Sequence, residues 1–515
     1  MTDVSYDDLV DAATVGVSRR PLSIDALAGP AVAHADSLNG SDPAAAVLDA
    51  AALMVAARRA GTRPVTGVTC PSPAAEDTAP ELPPRAADLL DRVQVGDAVL
   101  VSDLLTAAGS RGYRAPAALL PVLLDAAVKT VALRPVVAAM LGARGRWLAG
   151  QRADWLRVAN AAAPGVPDNP NVWDTGSRGE RRGYLAQLRE RDPAAARDLL
   201  AASWPRETGE ERADLLAILA HGLSAADEEF LEAALDDRKD SVRVAARQLL
   251  ARLPGSAFNR RAAQRAASVL RLERHGLRRL LVAVLPDLRP DAAAIRDGIT
   301  VRSPAVTVIG TGPWLLTQMI AAAPLGGWVT SFGLDPCRLV SLPVAGGLRD
   351  DVHAGWRLAA ISQASSPWAE ALLATREPGQ ARGRPPAAWL PDHQVAAVLP
   401  ANARAARAAD LLTEAPNAPA TVTEVISCPS PWPGRLAATV VAALHSAVTP
   451  GREGHWPVAL VTAAARGLPA TGPDDYAAAL AQLAAAESCP PALSARLRSA
   501  ADTIALRRSF LEEIT

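Results

Sequence analysis

Apolar residues recur at helical spacing through the middle of the chain. In residues 240–253, DSVRVAARQLLARL, they stand at Val242, Ala245, Ala246, Leu249, Leu250 and Leu253. That is the i, i+3, i+4, i+7 pattern of one helical face. Arg243, Arg247, Gln248 and Arg252 occupy the opposite face, Asp240 or Ser241 can cap the first turn, and Pro254 and Gly255 end the helix. Residues 227–236 repeat the plan with Phe230, Leu231, Ala234 and Leu235, and the polar break DDRKD joins the two into a helical hairpin. Upstream, Leu199, Leu200 and Trp204 and then Leu215, Leu216, Leu219 and Leu223 do so again. A shift of roughly thirty residues lays Leu219 on Leu249, somewhat below the HEAT-repeat period of about 40. One hairpin cannot bury its apolar stripe alone, so the pattern predicts stacked neighbours, a HEAT-like α-solenoid.

The same alternation divides the rest of the chain. Residues 1–61 read as N-terminal helices, the better one at 43–60. Residues 62–84, rich in Pro, Thr, Ser and acids, read as an extended linker and a domain boundary. Residues 85–163 form a helical bundle and 180–284 the HEAT-like core, whose last part, 259–284, reads as an arginine-rich helix or pair broken near Gly276. Residues 286–350 are the least regular and leave room for a small β element, and 351–515 return to helical repeats. The expected fold class is therefore all-α.

Composition sharpens this picture. Half of the 515 residues are hydrophobic, much of that alanine, while aromatics make up 4%; such a chain favours closely packed helices over sheets. Lys129 and Lys239 are the only lysines, so positive charge is carried almost wholly by arginine, a skew that matches a GC-rich genome. The net charge of −1 gives no global attraction to nucleic acid or anionic membrane. Cys70, Cys337, Cys428 and Cys489 are scattered, without the pairing of a disulfide framework or a zinc ribbon. The acidic start and the lack of a long apolar run lead to the expectation of a soluble, cytoplasmic protein.

Candidate chemistry is sparse. The GTG of Gly310–Gly312 lacks the third glycine of a dinucleotide fingerprint, since Leu315 stands in its place, and reads as a loop into a helix from Pro313. No P-loop occurs. His445, His455 and Cys428 lack the close spacing of zinc ligand pairs, and Ser362, Ser365 and Ser366 lie in no nucleophile motif. These absences lead to the expectation of no cofactor and no enzymatic activity. One charged cluster remains: Arg260, Arg261, Arg265, Arg271, Arg274, Arg278 and Arg279 against the single acid Glu273. The spacing of Arg271, Arg274 and Arg278 suits one helical face, which could be a solvated surface, a dock for an acidic protein or a contact for phosphate backbone. No aromatics interleave to stack bases.

Three segments carry a resemblance: LGARGRWLAGQRADW at 141–155, WDTGSRGERRGYLAQLRERDPAAARDLL at 173–200 and DDRKDSVRVAARQLLARLPGSAF at 236–258, with WLLTQMIAAAPLGGW at 314–328 beside them. Together they resemble an uncharacterised bacterial family of HEAT-like helical proteins, over most of the chain from about residue 84. The resemblance implies association with systems that encode a MoxR-type AAA ATPase, a von Willebrand factor A (VWA) domain protein and sometimes a SWIM zinc-finger protein. Its motifs are structural, and it transfers no catalytic residue. The readings that follow are a scaffold for protein partners, a nucleic-acid-binding repeat protein using the arginine cluster, and an enzyme with an unrecognised site at 286–350.

Overall fold

The structure is a computed structural model, and it describes residues 6–21, 42–60, 72–93, 97–159, 171–176, 178–276, 278–301, 310–375, 390–416, 418–448 and 456–515. Among these the chain is mostly helical, with 28 α-helices and one small three-stranded sheet. None of the described helices is long and apolar enough to cross a membrane. The chain forms two compact units, Met1–Pro73 and Ala74–Thr515. In the first, helices Tyr6–Val15 and Pro43–Ala60 pack together and bury Leu9, Ala12, Ala46, Val47 and Ala50.

The second unit opens on an extended strap. The downstream part of the proline-rich stretch is fixed in place: Leu82 N–H donates to the Arg114 carbonyl, Arg114 N–H donates to the Pro80 carbonyl, and the Asp77 carboxylate accepts from the amides of Ala143 and Arg144. The strap lies on a bundle that includes helices Pro84–Arg92, Ala98–Gly109 and Leu120–Lys129, with Leu104, Leu105, Leu120 and Leu124 in its core. The chain's last helix, Pro491–Glu513, packs on Pro84–Arg92, and Phe510 and Ile514 enter the same core.

Next come the helices that the apolar spacing marks most clearly. Arg178–Arg191, Gly209–Ile218 and Asp240–Ala251 pack in succession, with Pro193–Ser203 against the first and Glu228–Ala234 against the last. Val242, Ala246, Leu249, Leu250 and Leu253 are buried, as the i, i+3, i+4 pattern requires, while Ala245 is only half-buried. The first turn differs from expectation. Lys239 holds the capping position without a side-chain bond, Asp240 is the first helical residue and pairs with Arg243, and Asp237 accepts from the Lys239 amide. At the centre of this core Arg189 is fully buried. It reaches Asp227 at 2.7 and 3.0 Å and donates to the carbonyls of Pro193, Leu219, His221 and Gly222. A charge can remain in such a place because every donor is used.

The arginine-rich segment departs from the expected helix pair. Helix Ala257–Val269 ends at the strand β1 (Leu270–His275), which turns through Gly276 into β2 (Arg278–Ala283). The two strands are antiparallel, with Leu270 opposite Ala283, Leu272 opposite Leu281 and Arg274 opposite Arg279. The two-residue segment β3 (Val344–Ala345) pairs parallel with β2, which supplies the small β element for which residues 286–350 left room. The period here is two rather than 3.6. Leu270, Leu272, Leu281 and Ala283 share the core-facing side, and Gly276, at φ +62°, takes the left-handed conformation of a tight hairpin turn. Arg271, Arg274 and Arg278 therefore do not share a helical face.

Beyond the sheet, helix Thr311–Ala322 packs on Arg349–Ser362 around Trp328, Trp356 and Trp368. The helix begins at Thr311, so Pro313 sits inside its first turn. The C-terminal helices then run in two rows. Asp392–Ala396, Pro419–Ile426 and Trp456–Gly467 pack in succession on one side, and Ala401–Glu414, Gly434–Val448 and Tyr476–Ala485 on the other.

Candidate functional site

The arginine cluster resolves into two groups. On helix Ala257–Val269, Arg260 is exposed and its guanidinium donates to the Gly255 carbonyl. Arg261 faces inward, 2.8 Å from Asp297 and 3.1 Å from Glu232, and Arg265 hydrogen-bonds the same Asp297. Asp297 is 1% exposed at its side chain. Burial alone would raise its carboxyl, but the hydrogen bonds and charges of Arg261 and Arg265 outweigh that and hold it below the usual carboxylate range. The hydrogen bond to Asp297 raises Arg261 in turn. These two arginines join the helix to the segment that carries helix Ala292–Arg296.

On the hairpin the charge is spent differently. Arg271 pairs along its own strand with Glu273 at 2.7 Å. Arg274 and Arg278 are exposed and Arg279 half-buried at the tip, none with an acidic partner among the described residues. Arg274 and Arg279 face each other directly across the strands, an arrangement that destabilises a hairpin unless a counter-charge arrives.

A second feature lies beside the paired arginines. Helix Asp240–Ala251 and helix Ala292–Arg296 border a cleft of about 420 Å³, lined by Asp236, Asp237, Asp240, Arg243, Arg247 and Arg296, with Leu235, Ala292 and Ile295 as apolar wall. Arg296 binds Asp236 at 2.7 Å and Glu232 at 2.9 Å, and Arg212 binds Asp237 at 3.0 Å. The sequence marked Arg243 and Arg247 only as the polar side of their helix. The acids and Arg296 that complete the cleft come from segments whose proximity no spacing rule reveals.

The remaining candidates scatter. Gly310 is the residue before helix Thr311–Ala322, and the run at 302–309 lies outside the described residues, as does His455. Cys428 is buried, its thiol turned to the Glu424 carbonyl, and burial pushes that thiol up to about 11. Ser362 and Ser366 donate to the carbonyls of Ala359 and Val398. Among the described residues, no three His, Cys, Asp or Glu side chains are grouped so that they could hold a metal ion.

No curated protein and no solved structure matches the chain. The family comparison does give a match, over residues 8–514. The chain therefore belongs to a family of unknown function, DUF5691.

Proposed function

We propose that the protein is a non-enzymatic helical scaffold that docks partner proteins, with the β1–β2 hairpin as one point of contact for an acidic partner surface. The observation that carries this reading is the tip of the hairpin. Arg274 and Arg279 share one face of the tip and Arg278 stands on the other, all without acidic partners among the described residues, whereas the cluster's other arginines are committed to carboxylates or carbonyls. Two arginines held opposite each other raise the energy of the free hairpin, and an incoming carboxylate relieves it. Helices that pack in succession on either side support the reading, since repeat proteins recognise partners along such stacks. The resemblance carried by the sequence directs the choice of partner toward an assembly with a MoxR-type AAA ATPase and a VWA-domain protein, in a HEAT-like framework working in the cytoplasm.

Co-purification of the tagged full chain with the MoxR-type ATPase and VWA protein of its own host tests the reading. Retention at low salt, weakened by salt and lost on combined Arg274→Glu, Arg278→Glu and Arg279→Glu, is the expected result. Failure of both proteins to co-purify at any salt would overturn the assembly. Salt-dependent retention of duplex DNA by the same residues would move the reading to nucleic-acid binding, which the net charge of −1 does not favour.

A further inference from the structure

The ion pairs around the cleft do not balance. They fall into three groups: Arg212 with Asp237, Arg243 and Arg247 with Asp240, and Arg261, Arg265 and Arg296 with Glu232, Asp236 and Asp297. Only in the second do two guanidiniums meet one carboxylate. The surplus falls on Arg247. Arg243 and Arg247, one turn apart on helix Asp240–Ala251, both approach the same oxygen of Asp240. Arg243 reaches it at 2.9 Å, whereas Arg247 stays at 3.7 Å, beyond a good hydrogen bond.

Arg247 is 21% exposed at its side chain and lines the cleft. Gly298 makes room for it: a Cβ there would lie 2.6 Å from Arg247 Cδ and Nε, and the residue sits at φ +97°, where side chains are strained. The guanidinium is thus held in a built position, partly dried and sharing the Asp240 carboxylate with Arg243. Burial, its largest influence, lowers its basicity, which adds to the advantage of a counter-ion.

We infer that this cleft binds a small organic monoanion, a carboxylate carrying an aliphatic arm, with the head group on Arg247 and the arm along Ile295 and Ala292. Three observations set that chemistry. Arg247, second to Arg243 on a shared carboxylate, leaves a place for one negative charge. Asp236, Asp237 and Asp240 in the lining repel a second, which disfavours phosphate dianions. Ile295 is 56% exposed, and with Leu235 and Ala292 it offers an apolar wall next to the cation. The volume of about 420 Å³ leaves room for a small molecule in a cleft open to solvent. This inference does not rest on the docking role of the hairpin.

Isothermal titration of the full chain at low salt with sodium hexanoate tests it, with hexanol and inorganic phosphate as comparison probes. Saturable one-to-one binding of hexanoate, and none of hexanol, is expected. Arg247→Gln should weaken that binding by about tenfold or more, through loss of a charge-assisted hydrogen bond. Ile295→Asp replaces an exposed residue, so the chain should still fold, and it adds a fourth carboxylate to the lining; it too should weaken hexanoate binding. No saturable binding, phosphate binding as tight as hexanoate, or hexanoate binding unchanged in both variants would each overturn the site.

Discussion

Helix Ala257–Val269 and the β1–β2 hairpin are two halves of one arginine-rich stretch, and they use their charge in opposite ways. Arg261 and Arg265 turn inward and close on Asp297, an acid more than thirty residues ahead. Their charge ties two helices together. Arg274, Arg278 and Arg279 stand at a turn, Arg274 facing Arg279, and no acidic partner among the described residues ties them to another segment. The difference is one of surroundings rather than of residue type. Helix Ala257–Val269, packed between neighbours, meets carboxylates from other segments, whereas the hairpin tip lies beyond the residues that pair with β3. Arginine inside the framework is therefore read as structure, and arginine at the tip as surface free to take a partner.

The strongest way to break that division is to remove the most enclosed arginine. Arg189→Met leaves Asp227 buried without its partner, along with four carbonyls that lose a donor, and should destabilise the chain by about 3–5 kcal/mol in chemical denaturation. Arg189→Met combined with Asp227→Leu should recover part of the loss. A change below about 1 kcal/mol would mean that the buried arginine is not structural.

Next in size is Asp297→Asn, which leaves Arg261 and Arg265 with weaker acceptors and should lower stability by about 1–3 kcal/mol. Its pH dependence has a definite sign. The folded Asp297 carboxyl lies below its unfolded value, so the contribution is full above about pH 4 and disappears as pH falls through the folded value. The gap in melting temperature between wild type and Asp297→Asn should be widest near neutrality and narrow in acid. A gap that stays constant with pH would show that the pair is not the source of the effect.

How much of this was legible in the chain depended on the length of each pattern. The helix around Val242, Leu249 and Leu250 repeats its apolar spacing over three turns, and all of that face except the half-buried Ala245 is buried. The hairpin has two arms of six residues, too short for a period of two to stand out among leucine and arginine, both good helix formers. Only the register, with Leu272 opposite Leu281, makes the strands clear. The cleft was illegible for a different reason. Arg247 and Gly298 are about fifty residues apart, and nothing local marks their contact. Burial of apolar faces leaves a periodic trace in sequence, but pairing of charge across segments does not.

The hairpin should give the smallest effects, and the sharpest ones for the comparison. Combined reversal of Arg274, Arg278 and Arg279 to glutamate replaces like charges with like charges and should change folding stability by no more than about 0.5 kcal/mol, while abolishing any acidic partner. Arg279→Glu alone should go further in the other direction. It sets a carboxylate directly across from Arg274, turning a repulsive cross-strand pair into an attractive one, and should stabilise the chain by about 0.2–1 kcal/mol at low salt. Added salt should erase that gain, since the pair lies at an exposed tip. The same exchange at Arg261 puts a third acid beside Glu232 and Asp297 and should destabilise instead. If Arg279→Glu also destabilises, the tip already holds a counter-charge, and its arginines belong with the paired group.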